Sequence, residues 1–436
     1  MSQSFHLLES INDFIWGYFN FLIIIGLGFL FTLKSNFFQF RQFPLIVKTF
    51  YQFFKYKDND PTGIHPLKVF SAAIGGCIGI GNVVGICTAV QLGGPGALFW
   101  TWIAGFLGML LKYSEVYLGM IHRVKNDKGS YDGGPMYFLK KAFNNSWIPS
   151  LVCVLLCVYG VEVYMFSVMT DSISTNWNVN KQLLVVILLA LTLFAAAGGV
   201  KRVGKICSSV MPIFLLLYIF MSFWVIFMHI DRLPEVLALV FKGAFTPQAA
   251  TGGFAGSSII LTISLGMSRG CYSGDIGIGY SSVIHSESSV NHPAKQASLA
   301  IIGIFLDVFI VCTLSIMLVL VTDLWKSPFS TAVMVQQALG MHFPYMNLFM
   351  PFFLFLLGYS TIIAYFAVGL KCAHHLFPKR GKKIYYFYAF FAFLLFSFFD
   401  PAQALIVMSI AGALLLIINL SGIFRLRHEI KFDLEN

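Results

Sequence analysis

Charge is scarce in this sequence. Asp, Glu, Lys and Arg make up 11% of its 436 residues, while hydrophobic residues make up 58%. Soluble domains carry roughly 25% charged side chains, so this shortage, with a mean hydropathy of +0.79, excludes a soluble globular protein and points to an integral membrane protein. Other signatures are missing as well. There is no G-x-x-x-x-G-K-[ST] run, which argues against ATP-driven transport. No filter-like loop or charged ring marks an ion channel. His285 and His292 share one loop, but no His/Asp or Ser/His array surrounds them, which argues against a membrane enzyme. None of the eight cysteines belongs to a metal-like array, and they read as small packing residues. The opening MSQSFHLLES lacks a basic n-region, so the first apolar segment is expected to be retained.

What is abundant is long apolar runs. They fall at roughly 12–33, 67–92, 95–121, 147–170, 181–198, 206–229, 250–280, 297–321, 344–371, 383–399 and 401–424. Runs of about twenty residues suit membrane helices, and β-barrel strands are shorter and alternate. The expected fold class is an all-α integral membrane protein of eleven transmembrane helices. The net charge of +10 does not call for nucleic acid, because the basic residues lie in short loops. With the N-terminus outside, the loops and tail placed inside hold 23 Lys and Arg and the opposite side holds 4. That asymmetry is what the positive-inside rule requires. A multi-pass protein of the cell membrane, with a cytosolic C-terminus, is the expectation.

Two runs are chemically unlike the rest. The run 67–92 carries Gly75, Gly76, Gly79, Gly81 and Gly85, with Asn82 near its middle. The run 250–280 carries Gly252, Gly253, Gly256, Gly266, Gly270, Gly274, Gly277 and Gly279, the hydroxyls of Ser257, Ser258, Thr262, Ser264 and Ser268, and the charged Arg269 and Asp275. Close helix packing through G-x-x-x-G pairs is the plain explanation, yet Asn82 at mid-membrane still needs a partner. Setting the first run aside, the two odd helices open two successive sets of five. Five is odd, so the sets cross the membrane in opposite senses, as in an inverted repeat. Interrupted helices at matching positions are a sequence-level mark of a transporter binding site. The implied organisation is an N-terminal helix and basic cytosolic loop over 1–66, repeats over 67–229 and 250–424, and a cytosolic tail over 425–436.

Ordered motifs sharpen this. Ile78-Gly79-Ile80-Gly81-Asn82, Gly93-Gly94-Pro95-Gly96, Lys112-Tyr113-Ser114-Glu115, Gly133-Gly134-Pro135-Met136-Tyr137, Gly252-Gly253-Phe254-Ala255-Gly256, Arg269-Gly270 and His292-Pro293 follow one another along the chain. Together they resemble the alanine/glycine:cation symporter family, also called sodium:alanine symporters. The resemblance implies a LeuT-like fold of the amino acid-polyamine-organocation superfamily, with one helix ahead of a 5+5 inverted repeat. It implies Na⁺ as coupling ion, with H⁺ as an alternative, and alanine or glycine as substrate, with one chain sufficient for transport. By the same resemblance, N–H groups at Ile80 and Gly81, beside Gly79, would hold the substrate carboxylate, and Asn82 would hold the break or a cation. A Na⁺ site would use Gly75, Ile78 and the hydroxyls of Ser360 and Thr361. The bland alternative for those hydroxyls is bonding back to their own helix. The break in the second odd helix is expected mid-span, among Thr262, Ser264 and Gly266.

The sequence also departs from that pattern. Ile80 stands where the family has Thr. Tyr272-Ser273-Gly274-Asp275-Ile276-Gly277 replaces F-S-N-E-A-G, and Asp307-Val308 replaces D-T. In the fourth run Glu162 and Tyr164 replace Gln and Asn. An acid inside a membrane segment is a functional candidate: Glu162 is read as a partner for the substrate ammonium or as a proton carrier, against a structural pairing. Arg269, Asp275 and Asp307 are read as pathway or gating residues. Lys112 and Glu115 are read as a gate or as an i, i+3 surface pair.

Overall fold

Without water to bond to, a backbone in hydrocarbon must satisfy its own N–H and C=O groups, so these runs fold as helices. The computed structural model describes residues 2–56, 62–126, 129–196, 199–249 and 256–434. Five helices are long and apolar enough to cross a membrane: His6–Lys34, Trp147–Trp177, Pro293–Val321, Met346–Leu376 and Pro401–Arg425. Two further pairs are bent at a break, Pro66–Cys77 with Gly81–Gly93 by 47° and Pro212–Met228 with Ile230–Gly243 by 73°. Ala97–Ile121, Lys181–Ala196, Ile259–Gly274 and Gly381–Phe396 complete the bundle. The only sheet among the described residues is a two-stranded hairpin of Val124–Lys125 and Tyr131–Asp132.

Helix Ala97–Ile121 is the central post. It packs along Ile259–Gly274, along Pro293–Ile304 and against the N-terminal helix. Glycines set the closeness: Gly266 and Gly270 lie against Ala97, Thr101 and Ala104 of that post. Helix Met346–Leu376 plays the same part on the other side, touching Pro66–Cys77, Trp147–Tyr159 and Val163–Trp177.

The breaks have local causes. After Cys77 the chain leaves the helix at Ile78, which is extended (φ −81°, ψ 96°), and resumes as a wide π-helical turn over Gly81–Gly85. A second π-helical stretch, Phe305–Cys312, faces that turn. Helix Ile259–Gly274 runs unbroken through Thr262, Ser264 and Gly266 and stops at Asp275, whose φ is +51°. The expected mid-span break is therefore displaced toward the C-terminal end of the run. The reason lies in residue type. Ser and Thr inside a helix stay helical by bonding back to carbonyls, as Thr262 does to Ser258. By contrast, Gly277 (φ +72°) and Gly279 (φ +103°) adopt conformations that favour glycine, and Asp tolerates the left-handed region. The half-helix Tyr280–His285 follows. Gly252, Gly253, Phe254 and Ala255, read above as part of this segment, lie outside the described residues.

One interruption was not expected. The fourth run is broken at Gly160–Glu162, between Trp147–Tyr159 and Val163–Trp177, with Glu162 left-handed at φ +52°.

Candidate functional site

The first break is held by side chains from three other helices. Asn82 spans it: its carbonyl oxygen accepts the Gly79 N–H at 2.9 Å, and its amide donates to the Asp307 carboxylate. The same amide lies 3.6 Å from the Cys312 sulfur. Asn82 and Asp307 are both fully buried, so two polar groups that would each be costly alone in the membrane satisfy one another. Asp307 is thus brought to the first break rather than to a gate at either face. Its second oxygen has no hydrogen-bond partner.

Thr361 joins helix Met346–Leu376 to the upstream half of the break, its hydroxyl donating to the Gly75 carbonyl at 3.1 Å. Ser360 donates to Leu357 of its own helix at 2.8 Å. Helix Pro66–Cys77 ends here, and its last carbonyls lack partners within the helix. Carbonyl and hydroxyl oxygens are hard donors of the kind that suit an alkali or alkaline-earth cation and not a soft metal. No cluster of three His, Cys, Asp or Glu able to hold a metal occurs among the described residues.

Above the break sits a lid that sequence reasoning missed. Tyr272 donates its hydroxyl to Glu162 at 3.1 Å. A Cβ placed on Gly81 would lie 3.1 Å from the Tyr272 ring, and one on Gly85 would lie 3.3 Å from the Tyr164 hydroxyl. A side chain at either glycine would press these rings back by a few tenths of an ångström. Glu162 is 1% exposed, and no cationic side chain lies within ion-pair distance among the described residues. Glu162 and Tyr272 are both positions where this chain departs from its family's pattern, and the fold brings the two departures together. That coincidence was the available signal. Ile80 packs its side chain against Gly358 of helix Met346–Leu376.

The second break is held from the other direction. Asp275 accepts from Ser281 and from Tyr365, each at 2.9 Å, and lies 3.9 Å from the Lys112 ammonium. Lys112 donates to the Gly274 carbonyl at 2.7 Å. Glu115 accepts the backbone N–H groups of Gly279 and Ser282, both at 3.1 Å. Lys112 and Glu115 are therefore buried residues serving different ends of one broken helix. The expected surface pair is not formed, because both point into the bundle, where backbone termini bind them better than they bind each other.

Other expected residues sit elsewhere. Thr262 bonds the Gly93 carbonyl at 2.7 Å and fastens the outer turn. Ser264 faces Gly17 of the N-terminal helix, and Gly266 packs on Ala97 and Trp100. None of the three reaches either break. Arg269 is 7% exposed, and its Nε and one terminal nitrogen have no hydrogen-bond partner. It lies within electrostatic reach of Tyr164 and Tyr272, on the N-terminal side of Asp275.

A cavity of about 510 Å³ descends between Thr88, Asp171, Gln336 and Asp400 and reaches Val84 and Tyr164, beside the lid. At the opposite end Lys371 clamps Asp132 of the hairpin at 2.9 Å and Glu287 at 2.6 Å, and Arg123 bonds the Ser286 and Ser288 carbonyls. Lys371→Ala should free the hairpin from the end of helix Met346–Leu376. Labelling of a cysteine placed at Ser286 is expected to speed up several-fold, with slower net uptake. Burial raises the Asp132 pKa, but the charge and hydrogen bond of Lys371 outweigh it and hold the carboxyl below the usual range. An acid depressed on folding stabilises above its unfolded pKa and loses that contribution only as pH falls through the lower folded value. The Lys371–Asp132 half of the clamp should therefore persist between pH 5 and 8, roughly one unit and more above the ordinary Asp value, and weaken only in stronger acid, whereas burial raises the Glu287 carboxyl, so the Lys371–Glu287 half is protonated first as pH falls. The same labelling rate measured against pH checks this.

Interrupted helices, the Thr361 hydroxyl meeting the Gly75 carbonyl at the first break, and a cavity that reaches toward it fit a membrane transporter. The chain belongs to the sodium:alanine symporter family, whose model matches residues 1–436. It is 30% identical to an uncharacterized transporter of Haemophilus influenzae, over 87% of this chain and 84% of that protein. It is 28% identical to the sodium/alanine symporter AgcS of Methanococcus maripaludis, over 94% of this chain and 91% of that protein. It is 29% identical to the probable sodium/glutamine symporter GlnT of Bacillus subtilis, over 97% and 88%. Among solved structures, the nucleobase-cation-symport-1 family transporter Mhp1, closed with bromovinylhydantoin bound, aligns at a TM-score of 0.50 and 15% identity, over 79% of this chain and 75% of that one. At that identity the likeness concerns the fold alone.

Proposed function

We propose that this protein is a Na⁺-coupled symporter of small neutral amino acids, alanine or glycine, working by alternating access. In this reading the chain makes eleven spans: one N-terminal helix, then two inverted five-helix repeats of the LeuT-like kind. The N-terminus lies outside and the C-terminus inside, as the 23-to-4 distribution of Lys and Arg favours. The outer cavity then opens outward and the Lys371 clamp closes the cytosolic face. One chain supplies every group named, so a monomer suffices.

The observation that carries this reading is the meeting of an unwound helix with a hydroxyl of another helix: Thr361 reaches the Gly75 carbonyl at 3.1 Å just before the first break. Gly75, Ile78, Ser360 and Thr361 would hold Na⁺ through oxygens. N–H groups of Ile80 and Gly81, the start of the next half-helix, would receive the substrate carboxylate beside Gly79, because first-turn N–H groups lack partners and carry the positive end of the dipole. Glu162 would receive the ammonium once Tyr272 swings away. Asn82 and Asp307 would keep the break open, and Arg269 and Asp275 would line the path, Arg269 beside the lid and Asp275 beyond it. Thr262, Ser264 and Gly266 are assigned to packing. A second reading, H⁺ coupling through Glu162, is favoured by its burial with a single hydroxyl partner.

The test is uptake by proteoliposomes. Labelled alanine, glycine and serine are offered with a Na⁺ gradient or an H⁺ gradient. Na⁺-driven accumulation of alanine or glycine is expected. Uptake that needs neither gradient would sink symport, and no uptake of any small amino acid would sink the substrate class.

A further inference from the structure

Helix Ala97–Ile121 passes both breaks, and Lys112 is its one basic residue. The ammonium donates to the Gly274 carbonyl at 2.7 Å, approaches the Cys77 sulfur at 3.1 Å and lies 3.9 Å from the Asp275 carboxylate. It is 4% exposed. Cys77 and Gly274 are the last residues of helices Pro66–Cys77 and Ile259–Gly274. Each C-terminus carries the negative end of its helix dipole and carbonyls without partners inside the helix. Two such ends are aimed at one place in the middle of the bundle. Asp275 lies there, and Asp307 is within electrostatic reach. Such a place demands a positive charge. One turn further along the same helix, Glu115 answers the opposite need, accepting the N–H groups that begin Tyr280–His285.

We propose that the Lys112 ammonium is a tethered cation at the crossing of the two breaks: it stands where a further free coupling ion would otherwise be required, and it positions both unwound segments without touching substrate. It keeps the two C-termini at a fixed separation while the half-helices beyond them move. A plain buried ion pair with Asp275 is the competing account. In that account the charge of Lys112 matters only to its carboxylate partner, so removing both charges together should be tolerated. In the tethered-cation account the carbonyl of Gly274 and the two dipole ends still need a cation after Asp275 is neutralised.

The inference rests on the symport reading above, and the test separates the two. Full-length protein, Lys112→Ala and the double variant Lys112→Ala/Asp275→Asn are purified. They are compared for Na⁺-driven alanine uptake and for melting temperature, with and without methylammonium, which carries the deleted group. Lys112→Ala is expected to lose roughly tenfold or more of its uptake, as breaking a buried charge arrangement does. Methylammonium should restore several-fold of that loss and raise the melting temperature of the variant, but not of the unmodified protein. The Na⁺ dependence of residual uptake should steepen by about one ion, since Na⁺ can then enter the vacated place. The double variant, which folds without an unpaired buried acid, should stay impaired. Wild-type uptake by the double variant would overturn the proposal in favour of the ion pair. A Lys112→Ala protein that methylammonium neither reactivates nor stabilises would overturn it as well. If the unmodified protein takes up no small amino acid, the symport reading fails, while the melting temperatures still decide the role of Lys112.

Discussion

Glu162→Gln should raise the KM for alanine by roughly 30- to 150-fold, the loss expected when a buried hydrogen bond to a charged group, worth about 2–3 kcal/mol, becomes a neutral one. The carboxylate is 1% exposed, beside the unwound first break, with the Tyr272 hydroxyl as its partner at 3.1 Å. An ammonium arriving there would meet a full negative charge in a low-dielectric setting, where its attraction is least screened. Gln keeps the shape and can still accept from Tyr272, so folding should be spared. Tyr272→Phe acts in the opposite sense. It removes the hydroxyl that competes for the carboxylate, and KM should fall or hold steady while release slows. The measurement is initial uptake rate against alanine concentration for the three proteins. Equal KM values would return Glu162 to a structural role, and a pH dependence of uptake that vanishes in Glu162→Gln would assign it the proton instead.

Thr361→Ala should raise the Na⁺ concentration for half-maximal uptake by roughly tenfold, equivalent to about 1.4 kcal/mol for one lost oxygen ligand. Its hydroxyl points out of its own helix to the Gly75 carbonyl at 3.1 Å, whereas Ser360 bonds back to Leu357 at 2.8 Å. Ser360→Ala should therefore cost less, within about threefold, as an interchangeable intrahelical bond does. Thr361→Ser, which keeps the oxygen, should behave like the unmodified chain. A Na⁺ titration of alanine uptake distinguishes the variants. Equal effects of Ser360→Ala and Thr361→Ala would show that both hydroxyls are ligands, and no effect of either would remove this helix from the cation site.

Much of this was legible from residue types. The glycines of 75–85 announce an unwound segment, and the structure unwinds it at Ile78, because glycine lowers the cost of leaving the helix there. The second segment shows where that reasoning fails. Its glycines are spread over the whole run, and Gly266 and Gly270 serve contact with helix Ala97–Ile121 rather than a break. Glycine for closeness and glycine for unwinding look the same in a sequence. They separate only when a neighbouring helix fills the space. Glu162 was identified as anomalous, but the break at Gly160–Glu162 was not, since one glycine in an apolar run is weak evidence of interruption.

The sequence by itself determined that this chain is a helical membrane protein of the sodium:alanine symporter family, because apolar run length, the lopsided basic loops and the ordered glycine motifs are properties of the chain alone. Tertiary structure decided what each buried charge is for. Lys112 and Glu115 stand three residues apart, where spacing suggests that they pair, yet the fold sends one to the end of a half-helix and the other to the start of the next. Asp307 and Asn82 are 225 positions apart and share a hydrogen bond. A charge in the membrane takes whatever partner lowers its cost most, and those partners exist only once distant segments have been brought together.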